Sequence, residues 1–72
     1  MPLPIAPLDI PLRVLSVKGN EKDRRHLETL GLTTNMKIEL MSSQGGSVIF
    51  RLNDSRLALD MKTAFHVLVE VI

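Results

Sequence analysis

The two histidines are the residues best suited to chemistry in this sequence, because each has a carboxylate nearby. His26 precedes Glu28 by two positions, and His66 precedes Glu70 by four. A metal site built from such residues typically requires two histidines and a carboxylate that converge on one point. On a helix, positions 26 and 28 point about 200° apart, and along a strand positions 66 and 70 are roughly 13 Å apart. We therefore predict two surface histidines and no metal site.

Nucleophilic catalysis needs a nucleophile, a base and an orienting group held in one cleft. The serines and threonines fall almost wholly in predicted turns, and nothing in the sequence brings the two histidines together. The Gly45-Gly46 pair is not followed by the Lys-Ser/Thr and the helix of a phosphate-binding loop. We predict that the protein is not an enzyme, has no catalytic residues and binds no cofactor.

Length and charge restrict the remaining classes of function. The 72 residues suffice for one small domain, and nine Lys and Arg against eight Asp and Glu give a net charge of +1. So weak a charge gives little attraction to a nucleic-acid backbone. Aromatic residues are only 3% of the chain, too few for a groove that binds proline-rich peptides or a platform that stacks bases.

The expected compartment follows from two features of the composition. The chain has no Cys, which suits a reducing cytosol and excludes zinc–thiolate and iron–sulfur sites. No apolar run approaches the roughly 20 residues of a membrane span. We therefore expect a cytoplasmic protein without direct membrane insertion.

The first third of the chain predicts an arm, a strand and a helix. Prolines at positions 2, 4, 7 and 11 predict that residues 1–11 form a Pro-rich extended arm, which covers the core without forming it. A β-branched stretch over 13–18 predicts the first strand. Asn20 is a good helix N-cap, and Gly31 past the helix end lets Leu32 fold back onto Leu27.

The rest of the chain alternates in the manner of short strands. Strands are predicted around 37–41, 48–52, 56–59 and 67–72, with turns at 34–35 and 53–55 and a flexible hairpin loop over 42–47. Asp60 caps a single helical turn over 61–65. Five short strands around one thin core favour a closed barrel over an open sheet. The side chains predicted to face inward are Ile38, Leu40, Val48, Phe50, Leu57 and Leu59.

Five short runs of the sequence together form a recognisable pattern: 24–32 (RRHLETLGL), 38–40 (IEL), 45–46 (GG), 57–59 (LAL) and 67–69 (VLV). In these runs the sequence resembles the FeoA family of small cytosolic proteins of ferrous iron uptake. The resemblance implies one FeoA-like domain over residues 1–72. It also implies a mainly β fold, an SH3-like five-stranded barrel with one α-helix between the first two strands and a short helical turn before the last strand. It further implies an accessory or regulatory protein that binds the cytosolic part of an FeoB-type permease.

A partner must then bind to the outer surface of the barrel. If the side chains named above point inward, the alternation of a strand turns Met41, Ile49 and Leu68 or Ile72 outward as an apolar contact patch. In the family's arrangement the helix adjoins this patch, and its arginines could select a partner by charge. We predict that the partner-binding residues are Arg24, Arg25, Met41, Ile49 and Leu68. A weak homo-oligomer is left open.

The alternative hypothesis uses the basic helix in a different way. Lys22, Arg24 and Arg25 form a local basic cluster, although Glu21, Asp23 and Glu28 interleave with it. Under this alternative the protein is a small nucleic-acid-associated or transcription-associated SH3-like barrel, and its binding weakens steeply with salt.

Overall fold

A computed structural model describes residues 1–72 and shows a five-stranded antiparallel sheet with two helices. The strands run in the order β4-β3-β2-β1-β5. The α-helix lies between the first two strands, and the short helix precedes the last strand, so the predicted mainly β element order is confirmed. The bounds are β1 Pro11–Val17, α1 Glu21–Thr29, β2 Lys37–Gln44, β3 Ser47–Leu52, β4 Ser55–Asp60, α2 Met61–Ala64 and β5 Val67–Val71.

Helix α1 begins and ends where the sequence predicts. The Asn20 side-chain oxygen accepts a hydrogen bond from the Asp23 N–H at 2.8 Å. At the other end Gly31 has a φ of 94°, and the Leu32 N–H donates to the Leu27 carbonyl at 3.0 Å. This is the bond of a Schellman motif, and both leucines are fully buried. The helix exit is therefore fixed by a backbone bond and a core contact together.

The β2–β3 hairpin is tighter than predicted. In place of a six-residue flexible loop, β2 extends to Gln44 and β3 starts at Ser47, so that only Gly45 and Gly46 form the turn. Their φ values of 64° and 83° suit a type I′ turn, whose twist matches that of the paired strands. The loop prediction was wrong because the polar run before the glycines belongs to a strand.

The core confirms the predicted inward pattern. Five of the six side chains predicted to face inward are buried, and Leu57 is partly buried and packs against them. The fourteen apolar side chains of the core are Leu3, Ala6, Leu12, Val14, Leu27, Leu32, Ile38, Leu40, Val48, Phe50, Leu59, Ala64, Val67 and Val69.

The N-terminal segment differs from the predicted extended arm. Leu3–Ile5 forms a single 3-10 turn, and Pro11 already belongs to β1. Leu3 is 0% exposed and Ala6 is also buried, so the segment forms part of the core. The prolines do prevent a regular strand, but they leave the apolar side chains between them free to pack.

The same segment closes the barrel. Strands β4 and β5 are the two ends of the sheet and do not pair with each other. The Met1 ammonium donates to the Val69 carbonyl at 2.8 Å, and the Val69 N–H donates back to Met1 at 2.7 Å. Further on, the Asp9 N–H donates to the carbonyl of Leu40 in β2 at 2.8 Å. The segment therefore pairs with the outer edge of β5 and continues to β2, while α2 connects β4 to β5.

Candidate functional site

The charged surface of α1 contains one ion pair. Arg25 Nη2 lies 2.6 Å from Glu21 Oε1, one helical turn away, and both side chains are exposed. Arg24 makes no ion pair with Glu28; both line a shallow cleft between α1 and Ser16 of β1. Arg24 is thus a free cation at the surface, whereas the charge of Arg25 is locally balanced.

Met41 and Ile49 lie close together on the outer surface of the β2–β3 pair. The register shifts between Leu40 and Ser42, so Met41 is the extra residue of a β-bulge. Ile49 is opposite Ser42 on β3, and both Met41 and Ile49 are half-buried. Bulges turn a side chain out of the regular alternation. The bulge thus adds Met41 to the outer row that contains Ile49.

Leu68 belongs to a different part of the outer surface. It lies on β5 opposite Ser16, next to a second bulge that leaves Leu15 42% exposed. The sheet order places β2 and β1 between β5 and β3. Arg24 lines a cleft that also contains Ser16, the residue paired with Leu68. The five predicted residues therefore fall in three places: Met41 with Ile49 on β2–β3, Leu68 and Arg24 each beside Ser16, and Arg25 on the exposed face of α1.

Two exposed apolar residues that the sequence analysis missed lie beside Met41. Ile5 is 64% exposed and Leu8 is 50% exposed, and both line a groove with Met41 at the second half of β2. The Ser43 hydroxyl donates to the Pro4 carbonyl at 2.7 Å and holds the two walls of this groove together. The signal for these residues was the unbroken apolar and proline run over residues 1–8, which we had interpreted as a covering arm. We call Ile5, Leu8, Met41 and Ile49 the apolar surface.

The two histidines lie far apart in the sequence and in different settings. His26 is exposed on α1, whereas His66 is partly buried and its Nδ1 lies 3.1 Å from the position that a Cβ on Gly19 would take. The His66 Nδ1 atom is buried and has no hydrogen-bond partner. No group of three or more His, Cys, Asp or Glu side chains is placed to hold a metal ion.

Asp60 is the one carboxylate whose surroundings clearly change its acidity. It ends β4 and caps α2, where its Oδ2 accepts from the Thr63 N–H at 3.0 Å. Hydrogen bonds from the Thr63 side chain and backbone hold the pKa of Asp60 below its usual value. Asp60 is therefore a fixed negative charge at the end of β4.

The helices of this structure are all too short to cross a bilayer.

Comparison with protein families gives one match, which covers nearly the whole chain. A model of the FeoA domain matches residues 1–71. No curated protein sequence matches the chain significantly.

Solved structures with the same fold agree with this match. The chain superposes with a TM-score of 0.90 on a crystal structure of an iron uptake regulatory protein, FeoA, at 23% identity, covering 100% of this chain and 97% of that one. An FeoA-like protein from Clostridium acetobutylicum gives a TM-score of 0.83 at 23% identity, covering 100% and 86%. The crystal structure of ScaR with bound Zn²⁺ gives 0.87 at 19% identity, covering 100% and 37%. At these identities the likenesses establish the fold, an FeoA-like SH3 barrel.

Proposed function

The chain belongs to the FeoA family, which is associated with ferrous iron transport, and from this premise we propose that it regulates an FeoB-type permease from the cytoplasm. It does so by binding the cytosolic part of the permease, without catalysing a reaction and without carrying iron. The observation that carries this proposal is the FeoA-domain match over residues 1–71.

The apolar surface is the region best suited to this contact. Its four residues come from the N-terminal segment and from the outer row of β2–β3, and two of them are at least half exposed. A flexible Met side chain adapts to a partner more easily than a branched one. We place the main contact here, with Arg24, Arg25 and Leu68 as a second contact that selects the partner by charge.

Regulation by such a protein must act through a difference in affinity. A bound protein shifts a conformational equilibrium only by as much as it prefers one state over the other. We therefore expect it to bind one conformation of the permease more tightly and to raise the population of that state.

A pull-down with the soluble domain of the permease tests the placement. We expect Ile49→Asp to weaken binding about tenfold or more, because it puts an unpaired charge at a buried contact. Arg25→Glu should weaken binding less, and its effect should diminish at high salt. Val71→Asp, which introduces the same charge at an exposed position of β5, is the matched control and should bind normally.

Circular dichroism melts of all three variants establish that each one is folded before its binding is compared. Unchanged binding in both Ile49→Asp and Arg25→Glu would contradict the proposed surfaces. No binding of the wild-type chain to any conformation of the permease would contradict the proposed function itself.

The structure gives no support to the nucleic-acid alternative. Arg25 is already paired with Glu21, which leaves only Lys22 and Arg24 as free cations on the helix. Of the two aromatic residues, Phe50 is fully buried, so that only Phe65 could stack on a base.

A further inference from the structure

Strand β4 is the one strand whose outer edge is left unpaired. At the other end of the sheet, the outer edge of β5 is paired at its centre through the two hydrogen bonds between Met1 and Val69. Outside its ladder with β3, no backbone hydrogen bond involves Arg56 or Ala58 of β4. An exposed edge presents unpaired N–H and C=O groups that can pair with another strand.

The register identifies which groups face outward. Leu52 and Ser55 flank the two-residue turn between β3 and β4, and the Met61 N–H donates to the Gly46 carbonyl at 2.8 Å. Hydrogen-bonded pairs alternate along an antiparallel ladder. The turn that ends at Ser55 and the bond from Met61 therefore both indicate that the odd-numbered residues of β4 direct their backbone groups to β3. The even-numbered residues, Arg56, Ala58 and Asp60, direct their backbone groups to solvent.

The charges on this edge are symmetric about its centre. Arg56 and Asp60 lie two residues before and two residues after Ala58, and all three are exposed. Edge strands often carry like charges that prevent pairing. Here, a second β4 strand running antiparallel and centred on Ala58 would place Arg56 opposite Asp60 of the second copy, at both ends of the pairing. The edge is therefore complementary to itself.

Arg56 also lacks a partner within its own chain. It lies opposite Arg51 on β3, and Arg51 is paired with Glu39 at 3.4 Å, whereas Arg56 takes part in no ion pair. Like charges directly opposite each other on a sheet repel. Asp60 is exposed, and as a carboxylate it can accept from an arginine as well as cap α2 through Oδ2. A carboxylate from a second copy would offset the repulsion between Arg51 and Arg56.

The outer side chains favour the same arrangement. Ala58 is opposite Ile49 in the register, so both lie on the outer surface of the sheet. A small side chain at the centre lets two edges approach, and Ile49 from each copy would then flank the pair of alanines. The apolar row of β3 and β4 would continue across the symmetry axis into the second copy.

We propose that two copies of this chain form a two-fold symmetric dimer by antiparallel pairing of their β4 edges, centred on Ala58. The paired segment has five residues a side, from Arg56 to Asp60. Because so short a pairing buries little surface, the dimer is weak and forms at high protein concentration. The dimer and the proposed permease contact share Ile49 but rest on different observations, the free edge of β4 for the dimer and the family match for the permease.

Sedimentation velocity of the full chain over a wide concentration range tests the proposal. We expect Ala58→Pro to abolish the dimer, because proline removes the central outward N–H and leaves the ladder with β3 intact. Arg56→Asp should weaken the dimer about tenfold or more, because it faces Asp60 of the second copy with a like charge. Lys22→Asp on α1 changes the net charge equally and should leave the dimer unchanged.

The pairing itself is tested by NMR on a mixture of labelled and unlabelled chains. An intermolecular contact between the Hα atoms of Leu57 and Leu59 is expected, because these residues form the non-hydrogen-bonded pair next to the axis. A chain that stays monomeric at its highest soluble concentration would overturn the proposal. So would a dimer that persists in both Ala58→Pro and Arg56→Asp, or whose concentration-dependent shifts lie away from β4.

Discussion

At the scale of single residues, two glycines with similar backbone conformations have different surroundings. Gly31 ends α1 with a φ of 94°, and a Cβ there would lie 3.1 Å from Leu52 Cδ2. Gly45 in the β2–β3 turn has a φ of 64°, and nothing lies within 4 Å of the Cβ it would gain. Gly31 is therefore needed both for its left-handed backbone conformation and for its lack of a side chain. Gly45 is needed for its left-handed backbone conformation alone.

Substitution of each glycine by alanine should separate the two effects. We expect Gly45→Ala to lower the free energy of unfolding by about 1–2 kcal/mol, the cost of a left-handed alanine. Gly31→Ala should cost at least about 1 kcal/mol more, because Leu52 must also move. Urea denaturation of both variants measures the difference, and equal losses would show that the contact with Leu52 is unimportant.

At the scale of elements, the N-terminal segment is as much a part of the barrel as the strands are. It supplies buried side chains to the core, and it pairs with β5 at one end and β2 at the other. Its 3-10 turn places two neighbouring apolar side chains in opposite environments, since Leu3 is fully buried and Ile5 is mostly exposed. The turn therefore packs Leu3 into the core and leaves Ile5 on the apolar surface.

Two residues of the same turn provide a matched test of stability. We expect Leu3→Ala to lower the free energy of unfolding by about 2–5 kcal/mol, because it leaves a cavity in a thin core. Ile5→Ala should change it by less than about 0.5 kcal/mol. Thermal or chemical unfolding measures both. If the two substitutions cost the same, the segment would be an arm after all.

At the scale of the whole molecule, the charges on the surface are nearly balanced. The net charge is +1, and the structure pairs six of the charged side chains in three surface ion pairs, Arg13–Glu70, Glu21–Arg25 and Glu39–Arg51. Such pairs contribute little to stability, but they reduce the local fields that attract nucleic acid. The outer surface therefore offers little attraction to a nucleic-acid backbone.

A gel shift at low salt tests this conclusion. We expect no shift of duplex DNA or single-stranded RNA, because no patch of unbalanced cations can release counterions from the phosphates. A Lys22→Glu, Arg24→Glu double variant is the control and should behave like the wild type. A shift that weakens steeply with salt and disappears in the double variant would contradict the prediction and restore the alternative.

Much of this fold could be predicted from the sequence because its signals are local. The Asn20 cap, the Gly31 exit and the Asp60 cap each depend on bonds between residues at most five positions apart. The alternation that buries Ile38 and Phe50 likewise follows from the period of a strand. The fold class and the inward side chains were predictable for these reasons.

What only the tertiary structure decided involves residues that are distant in sequence. The pairing of Met1 with Val69 joins residues 68 positions apart, and no local pattern indicates which edge of a sheet the N-terminus will cover. For the same reason the sequence could not show that β4 keeps a free edge, or that Ile5 would lie beside Met41. Local physics set the elements of this protein, and long-range contacts decided which of their surfaces remained open to a partner.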